Sequence, residues 1–240
     1  LQVSSVLYLV QRMTILAALF IFAALFCYVK AIERELEGRK GTFLFALSIG
    51  VFFPLSFLSK EIGLLYPLYV LLIDRAFSNR MGDLSEYGKL RRKRFLLLNY
   101  LILLLGGIAF LLVFDRILVE GYEFRSFSLF ERVITEPRVL VMYLSQILLP
   151  LPSSMGFFHD DFSLSQSLLS PVTTLLAILF IVTVIGMSLY TLRKGGLIAF
   201  GVLFFFVSHL MESTILPLEI AFEHRNYIGL WGIAIALAPW

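Results

Sequence analysis

Residues 212–227 read ESTILPLEIAFEHRNY. The stretch sets Glu212, Glu219, Glu223, His224, Arg225 and Asn226 between two strongly apolar runs, 197–210 and 228–240. An ionisable side chain at bilayer depth costs roughly 2.5–3.5 kcal/mol on insertion scales, so such groups persist there only with partners or water. Charges packed this densely between two apolar runs mark a membrane boundary. They also mark a candidate site on one side of it.

Outward from this stretch, the chain is built to sit in lipid. Of its 240 residues 59% are hydrophobic, and the mean hydropathy is +0.90. Apolar runs long enough to cross roughly 30 Å of hydrocarbon recur along it, which excludes a soluble domain. The net charge of +3 and the pI near 9.0 do not point to nucleic acid. The basic residues are concentrated in short loops beside apolar runs, as the positive-inside rule requires of a membrane protein. The single cysteine, Cys27, lies inside an apolar run, so there is no intramolecular disulfide framework and no cysteine metal site. The chain opens at Leu1 on a hydrophobic stretch and closes at Trp240 within another apolar run, so a piece of a longer membrane protein is expected.

The fold class expected is all-α, a polytopic transmembrane helical bundle forming one domain. Spans are expected at about 6–28, 43–58, 62–74, 95–114, 175–192, 197–210 and 228–240. Pro54 and Pro67 interrupt the second and third, which predicts bent or partly inserted helices. Between the fourth and fifth lies a long polar loop, 115–170, whose apolar middle, 139–149, is too short to cross and is expected to be interfacial or re-entrant. Segments 30–40, 75–94 and 193–194 hold thirteen of the twenty Lys and Arg residues and are assigned to the inside. Counting crossings then brings Lys60-Glu61, the 115–170 loop and 209–227 together on the outer face.

Three polar clusters meet there: Lys60-Glu61, His159-Asp160-Asp161, and Glu212 through Asn226. Arg225 beside His224 suits a phosphate or pyrophosphate, because a guanidinium pairs with oxygens bidentately and stays charged. Lys60 adds a second positive point. Glu61, Glu219 and Glu223 are placed to orient those cations or to accept a proton. The bland alternative for Lys60-Glu61 is a simple ion pair at the membrane interface. Asp160 and Asp161 have the oxygen ligands that a hard cation such as Mg²⁺ or Mn²⁺ takes. Three adjacent residues cannot all face one ion, however, and no second ligand set is spaced to complete a site. A loop or capping role before a helix near Pro171 is the competing reading, and no metal is expected.

At these residues the chain resembles a known family. Residues 9–20 (LVQRMTILAALF), 58–74 (LSKEIGLLYPLYVLLID), 135–152 (TEPRVLVMYLSQILLPLP), 158–163 (FHDDFS) and 212–227 resemble a bacterial group of multi-span proteins. That group is similar to the transmembrane and tetratricopeptide-repeat O-mannosyltransferases of the GT-C glycosyltransferase superfamily. The resemblance implies a GT-C-like helical enzyme that transfers sugar from a polyprenyl-phosphate donor to a protein or glycan hydroxyl. It would act on the outer, periplasmic face of a bacterial inner membrane. The family's catalytic carboxylate is expected in a first outer loop, which would precede Leu1, and its tetratricopeptide repeats would follow Trp240. Within this chain the substitutes for that base are Glu61, Asp160, Asp161 and Glu223. Lys60, Glu61, His159, Glu219, Glu223, His224, Arg225 and Asn226 are the expected substrate-binding set. A transporter or flippase-type protein, or a non-catalytic anchor for a repeat domain, are the alternatives from other classes. A transporter should show repeated spans and charges at mid-membrane, whereas here no repeat is visible and the charges gather at one boundary.

Overall fold

A computed structural model describes residues 11–151, 162–192, 194 and 196–238. His159, Asp160 and Asp161 lie outside the described residues, so the expectations placed on them are not addressed by the fold. The described residues are all-helical and contain no β-strand.

The first helix, α1, runs over Arg12–Leu36. Ala17, Ala18, Ile21, Ala24, Leu25, Tyr28, Ala31 and Ile32 are buried at helical spacing, so one stripe of α1 faces the core. The alanines in that stripe let neighbouring backbones approach closely. α1 stops at Gly38, whose φ of +74° is the left-handed conformation that glycine adopts without steric cost. The amides of Gly38 and Arg39 turn back to the carbonyls of Glu35 and Arg34. The chain then rises again as α2, Thr42–Ser59, whose middle, Ser48–Phe52, is a π-helical turn ahead of Pro54. Such turns re-aim a helix where the regular ladder is broken, which is the bend the sequence predicts.

A 3₁₀ turn at Glu61–Leu65 leads into α3, Tyr66–Ala76, and a second 3₁₀ turn follows at Ser78–Asp83. α4 spans Glu86–Asp115 and continues through a π-helical turn, Arg116–Glu120, into Gly121–Glu123. α5 is Leu129–Leu148, α6 is Thr173–Leu192, α7 is Leu197–His209 and α8 is Asn226–Leu237. Four segments, α1, α2, Glu86–Glu123 and α6, are long and apolar enough to cross a membrane. α3, α7 and α8 fall where spans were expected, but at 11, 13 and 12 residues they are shorter than the roughly 20 that a full crossing takes.

The region expected as a long polar loop is mostly helix. α4 reaches Glu123 because no proline interrupts it after Phe95. α5 begins ten residues before the apolar stretch that was expected to be interfacial. Its start is a capping box: the Ser128 hydroxyl accepts from the Glu131 amide, and the Glu131 carboxylate accepts from the Ser128 amide. Pro137 is accommodated within α5. The buried face of α5 carries Arg132, Thr135, Glu136, Tyr143 and Gln146, a polar stripe turned into the bundle.

Side-chain contacts define two ends of the bundle. At one, Glu35 accepts from Arg91 at 2.6 and 2.5 Å and from the Gly41 amide at 2.7 Å. There too, Asp74 holds Arg92 in a fork, at 2.6 Å for both bonds, and accepts from the Tyr28 hydroxyl at 2.7 Å. This is the basic end. At the other, Lys60 from the end of α2 meets Thr14 from the start of α1 and Glu212 from beyond α7. α7 and α8 pack most intimately. A Cβ on Gly201 would collide with the Gly232 carbonyl and one on Gly232 with the Gly201 carbonyl, so the two backbones touch.

Candidate functional site

The segment between α7 and α8 has almost no regular structure, only a 3₁₀ turn at Glu223–Arg225. Its carbonyls therefore need partners from elsewhere, because buried backbone oxygens are rarely left unpaired. Two guanidinium groups supply them. Arg132 of α5 is fully buried, and its Nε donates to the Thr214 carbonyl at 3.0 Å. Its Nη2 donates to the Glu212 carbonyl at 2.8 Å, and its Nη1 to the carbonyls of Leu218 and Glu219. Arg225 donates through Nη2 to Glu219 at 2.8 Å and through Nη1 to Ile220 at 3.1 Å. The Tyr143 hydroxyl accepts from the Phe222 amide at 2.7 Å. The loop is wrapped around arginines rather than around its own backbone bonds.

That wrapping buries a set of charges. Lys60, 7% exposed, donates to Glu212, 3% exposed, at 2.5 Å, and to the Thr14 hydroxyl at 3.1 Å. Burial raises the Glu212 carboxyl, but Lys60 and Arg225 outweigh it and hold the group below its usual range, as a carboxylate. Glu136 lies one helical turn from Arg132, with 2.8 Å between Nη2 and Oε1. The approach is close but out of line, and neither oxygen of Glu136 accepts an aligned hydrogen bond. Burial is the dominant influence on Glu136 and pushes it up to about 7, against the opposing pull of Arg132 and Arg225. His224 is driven the other way. Burial lowers it to about 4, more than the nearby Glu212 raises it, so the imidazole is neutral at pH 7. The second oxygen of Glu212, the Ser213 hydroxyl and the Asn226 amide nitrogen also lack aligned partners while buried. Unmet hydrogen-bonding capacity from Glu136, Glu212, Ser213 and Asn226 is thus drawn to one end of the bundle. Each such group carries a desolvation cost of roughly 1–3 kcal/mol unless something polar meets it.

The expected residues divide in their roles. Lys60, Glu223, His224, Arg225 and Asn226 are all buried at this end of the bundle. The Asn226 side-chain oxygen, Oδ1, lies 3.2 Å from His209 Nε2, while His209 Nδ1 lies 2.8 Å from the Phe205 backbone carbonyl. Arg225, expected to clamp a phosphate, spends Nη1 and Nη2 on loop carbonyls and stacks over the Phe222 ring. Glu61 is exposed, whereas Lys60 beside it turns inward, so the two do not form the interface ion pair weighed against function. Glu219 sits at the rim and pairs with Arg125 at 2.5 Å. Desolvation raises its exposed carboxyl, but the pairing with Arg125 outweighs that and lowers it.

Sequence reasoning missed Arg132, Glu136 and Thr14 as members, and read Glu212 only as part of a charged stretch. A signal for two of them was present. Arg132 and Glu136 are an i,i+4 pair on the same helix face as Val139 and Tyr143, which form an apolar stripe. Beside the cluster, a groove of about 440 Å³ is walled by Phe124, Phe127, Phe162 and Phe222 and crossed by the Arg125–Glu219 pair. Among the described residues no group of three or more His, Cys, Asp or Glu could hold a metal ion. The comparisons find no family model, no curated protein and no solved structure that matches this chain.

Proposed function

We propose that this chain is the membrane region of a GT-C-like glycosyltransferase, which moves a sugar from a polyprenyl-phosphate donor to a hydroxyl of a protein or glycan. The end that carries Lys60 and Glu212 would face the outside of a bacterial inner membrane, as the basic loops at the opposite end suggest. One observation carries the reading: a buried cluster of cations and under-bonded carboxylates sits at one end of a helical bundle, beside an open aromatic groove. A donor with an anionic phosphate and an apolar tail needs cations at the boundary and lipid-facing helices beneath them. An acceptor sugar or peptide needs an accessible groove with apolar faces and charged hydrogen-bonding groups.

In this reading the acceptor oxygen attacks the anomeric carbon as the bond from that carbon to the phosphate oxygen breaks, with inversion. The acceptor proton passes to a carboxylate, and the lipid phosphate leaves with its charge opposed by Lys60. Of the carboxylates in the chain, Glu61 is exposed next to Lys60 and is the first to test as the base. The placement of charge favours a transferase over a transporter. Among the described residues every ion pair lies at one end or the other, and the polar contacts between are uncharged, such as Ser48 with Tyr66 and Tyr69 with Ser208.

The decisive experiment separates chemistry from folding. Removing one partner of a buried ion pair strands the other and costs about 3–5 kcal/mol, whereas replacing both with apolar residues of similar volume is often neutral. Lys60→Met/Glu212→Leu should therefore keep its melting temperature in detergent within a few degrees of wild type. In the full-length protein, transfer from a labelled polyprenyl-phosphate sugar should fall about 100-fold or more, the scale of losing an electrostatic stabiliser. Wild-type transfer by a stable double variant would remove the pair from the mechanism.

A further inference from the structure

We propose that the basic end of the bundle holds a binding site for an anionic phospholipid of the adjoining leaflet, separate from the charge cluster at the other end. α3 stops at Ala76 and the chain turns away as the 3₁₀ segment Ser78–Asp83, which leaves part of α4 uncovered. The gap is a cavity of about 580 Å³ between Ser78 on that turn and Lys89, Arg92, Lys93, Leu97 and Tyr100 on α4.

The order of these residues along α4 is that of an amphiphile. Lys89 and Lys93 are one turn apart, and Leu97 and Tyr100 continue the same face, 66% and 56% exposed. At 1.5 Å per residue the stripe from Lys89 to Tyr100 covers roughly 16 Å, enough for a headgroup and the first part of an acyl chain. A soluble anion has no use for the apolar half of that wall.

The cations also have capacity to spare. Lys93 enters no ion pair among the described residues. Lys89 pairs with Glu86 at 2.9 Å, but the Glu86 side chain is 88% exposed, so the pair is screened and readily exchanged. Arg92 is different. Its Nε and Nη2 are locked on Asp74, so its charge is matched and it stiffens the cavity wall rather than binding there. A phosphate diester placed there meets Lys89 and Lys93, with Ser78 on the facing wall. Cations at a membrane surface attract anionic lipid, and here they border a cavity that can seat one.

Native mass spectrometry of the purified full-length chain, with phosphatidylglycerol or phosphatidylcholine added to the micelles, tests this. The expected result is selective retention of phosphatidylglycerol. Lys89→Gln/Lys93→Gln should weaken that retention about 30-fold, the combined worth of two surface cations. Its melting temperature should not change, since both side chains are solvent-facing and Arg91 and Arg92 still anchor α4. Should the double variant fold poorly, Lys93→Gln alone should weaken retention about fivefold. Equal retention of the two lipids would overturn the proposal, as would undiminished binding by a folded variant. Displacement of the lipid by excess inorganic phosphate would assign the cavity to a free anion instead and overturn it equally.

Discussion

Glu136 and His224 occupy the same buried cluster and are pushed in opposite directions by the same cause. Burial disfavours whichever form is charged, so the carboxyl moves up to about 7 and the imidazole down to about 4. The consequences for stability have opposite signs. Glu136 binds its proton more tightly when folded, so its contribution is fully present below pH 4.5 and is lost as pH rises through about 7. His224 binds its proton less tightly when folded, so its contribution is present above pH 6.5 and is lost as pH falls toward about 4. Glu136→Gln should therefore gain stability relative to wild type between pH 5 and pH 8, by on the order of 3 kcal/mol. Denaturant titrations in detergent at the two pH values measure it, and a constant difference between the proteins would contradict the assignment. His224→Gln should do the reverse and soften the loss on acidification.

At the level of elements, the helices are held by different means at different depths. α4 is tied at the basic end by two arginines, Arg91 to Glu35 on α1 and Arg92 to Asp74 on α3. α7 and α8 are held by backbone contact at Gly201 and Gly232. In lipid, where burying apolar surface against a neighbour gains little, such close van der Waals contact is a principal attraction between helices. Gly201→Val should therefore cost about 1–3 kcal/mol or force the two helices apart. Gly50→Val is the matched control, because a Cβ there meets nothing within 4 Å. Thermal unfolding of both variants in the same detergent decides it; equal loss would mean that the contact is not what holds α7 to α8.

For the molecule as a whole, the contacts place 37–41 and the start of α7, where Phe200 meets Phe77, at one end and 124–128 and 210–225 at the other. The positive-inside argument adds which end is inside. In a Cys27→Ser background, a cysteine at Glu37 should resist a membrane-impermeant reagent in intact cells, while one at Ser126 or Ser163 should react. All three positions are exposed in the fold, so protection reports the membrane rather than packing. Labelling at Glu37 with protection at Ser126 would invert the orientation and move the charge cluster to the inside.

Hydropathy and charge determined much of this protein unaided. The all-helical class and the long apolar helices follow from properties that each segment carries alone, whereas α5 lies in a stretch that reads as polar loop. Periodicity, length and local charge density suffice for the former. Which charges meet was decided only by tertiary structure. Lys60 and Glu212 are 152 positions apart, and nothing in either neighbourhood names the other. Arg225 reads as a free anion clamp in sequence, yet the folded loop needs its N–H groups for carbonyls that have no helix to serve them. Arg132 and Glu136 fall in the stretch that reads as a long polar loop, yet α5 forms there and turns them inward, where Arg132 donates to the Thr214 and Glu212 carbonyls. A sequence displays which groups can bond. The packing of helices against a loop without regular structure settles which of those bonds are made.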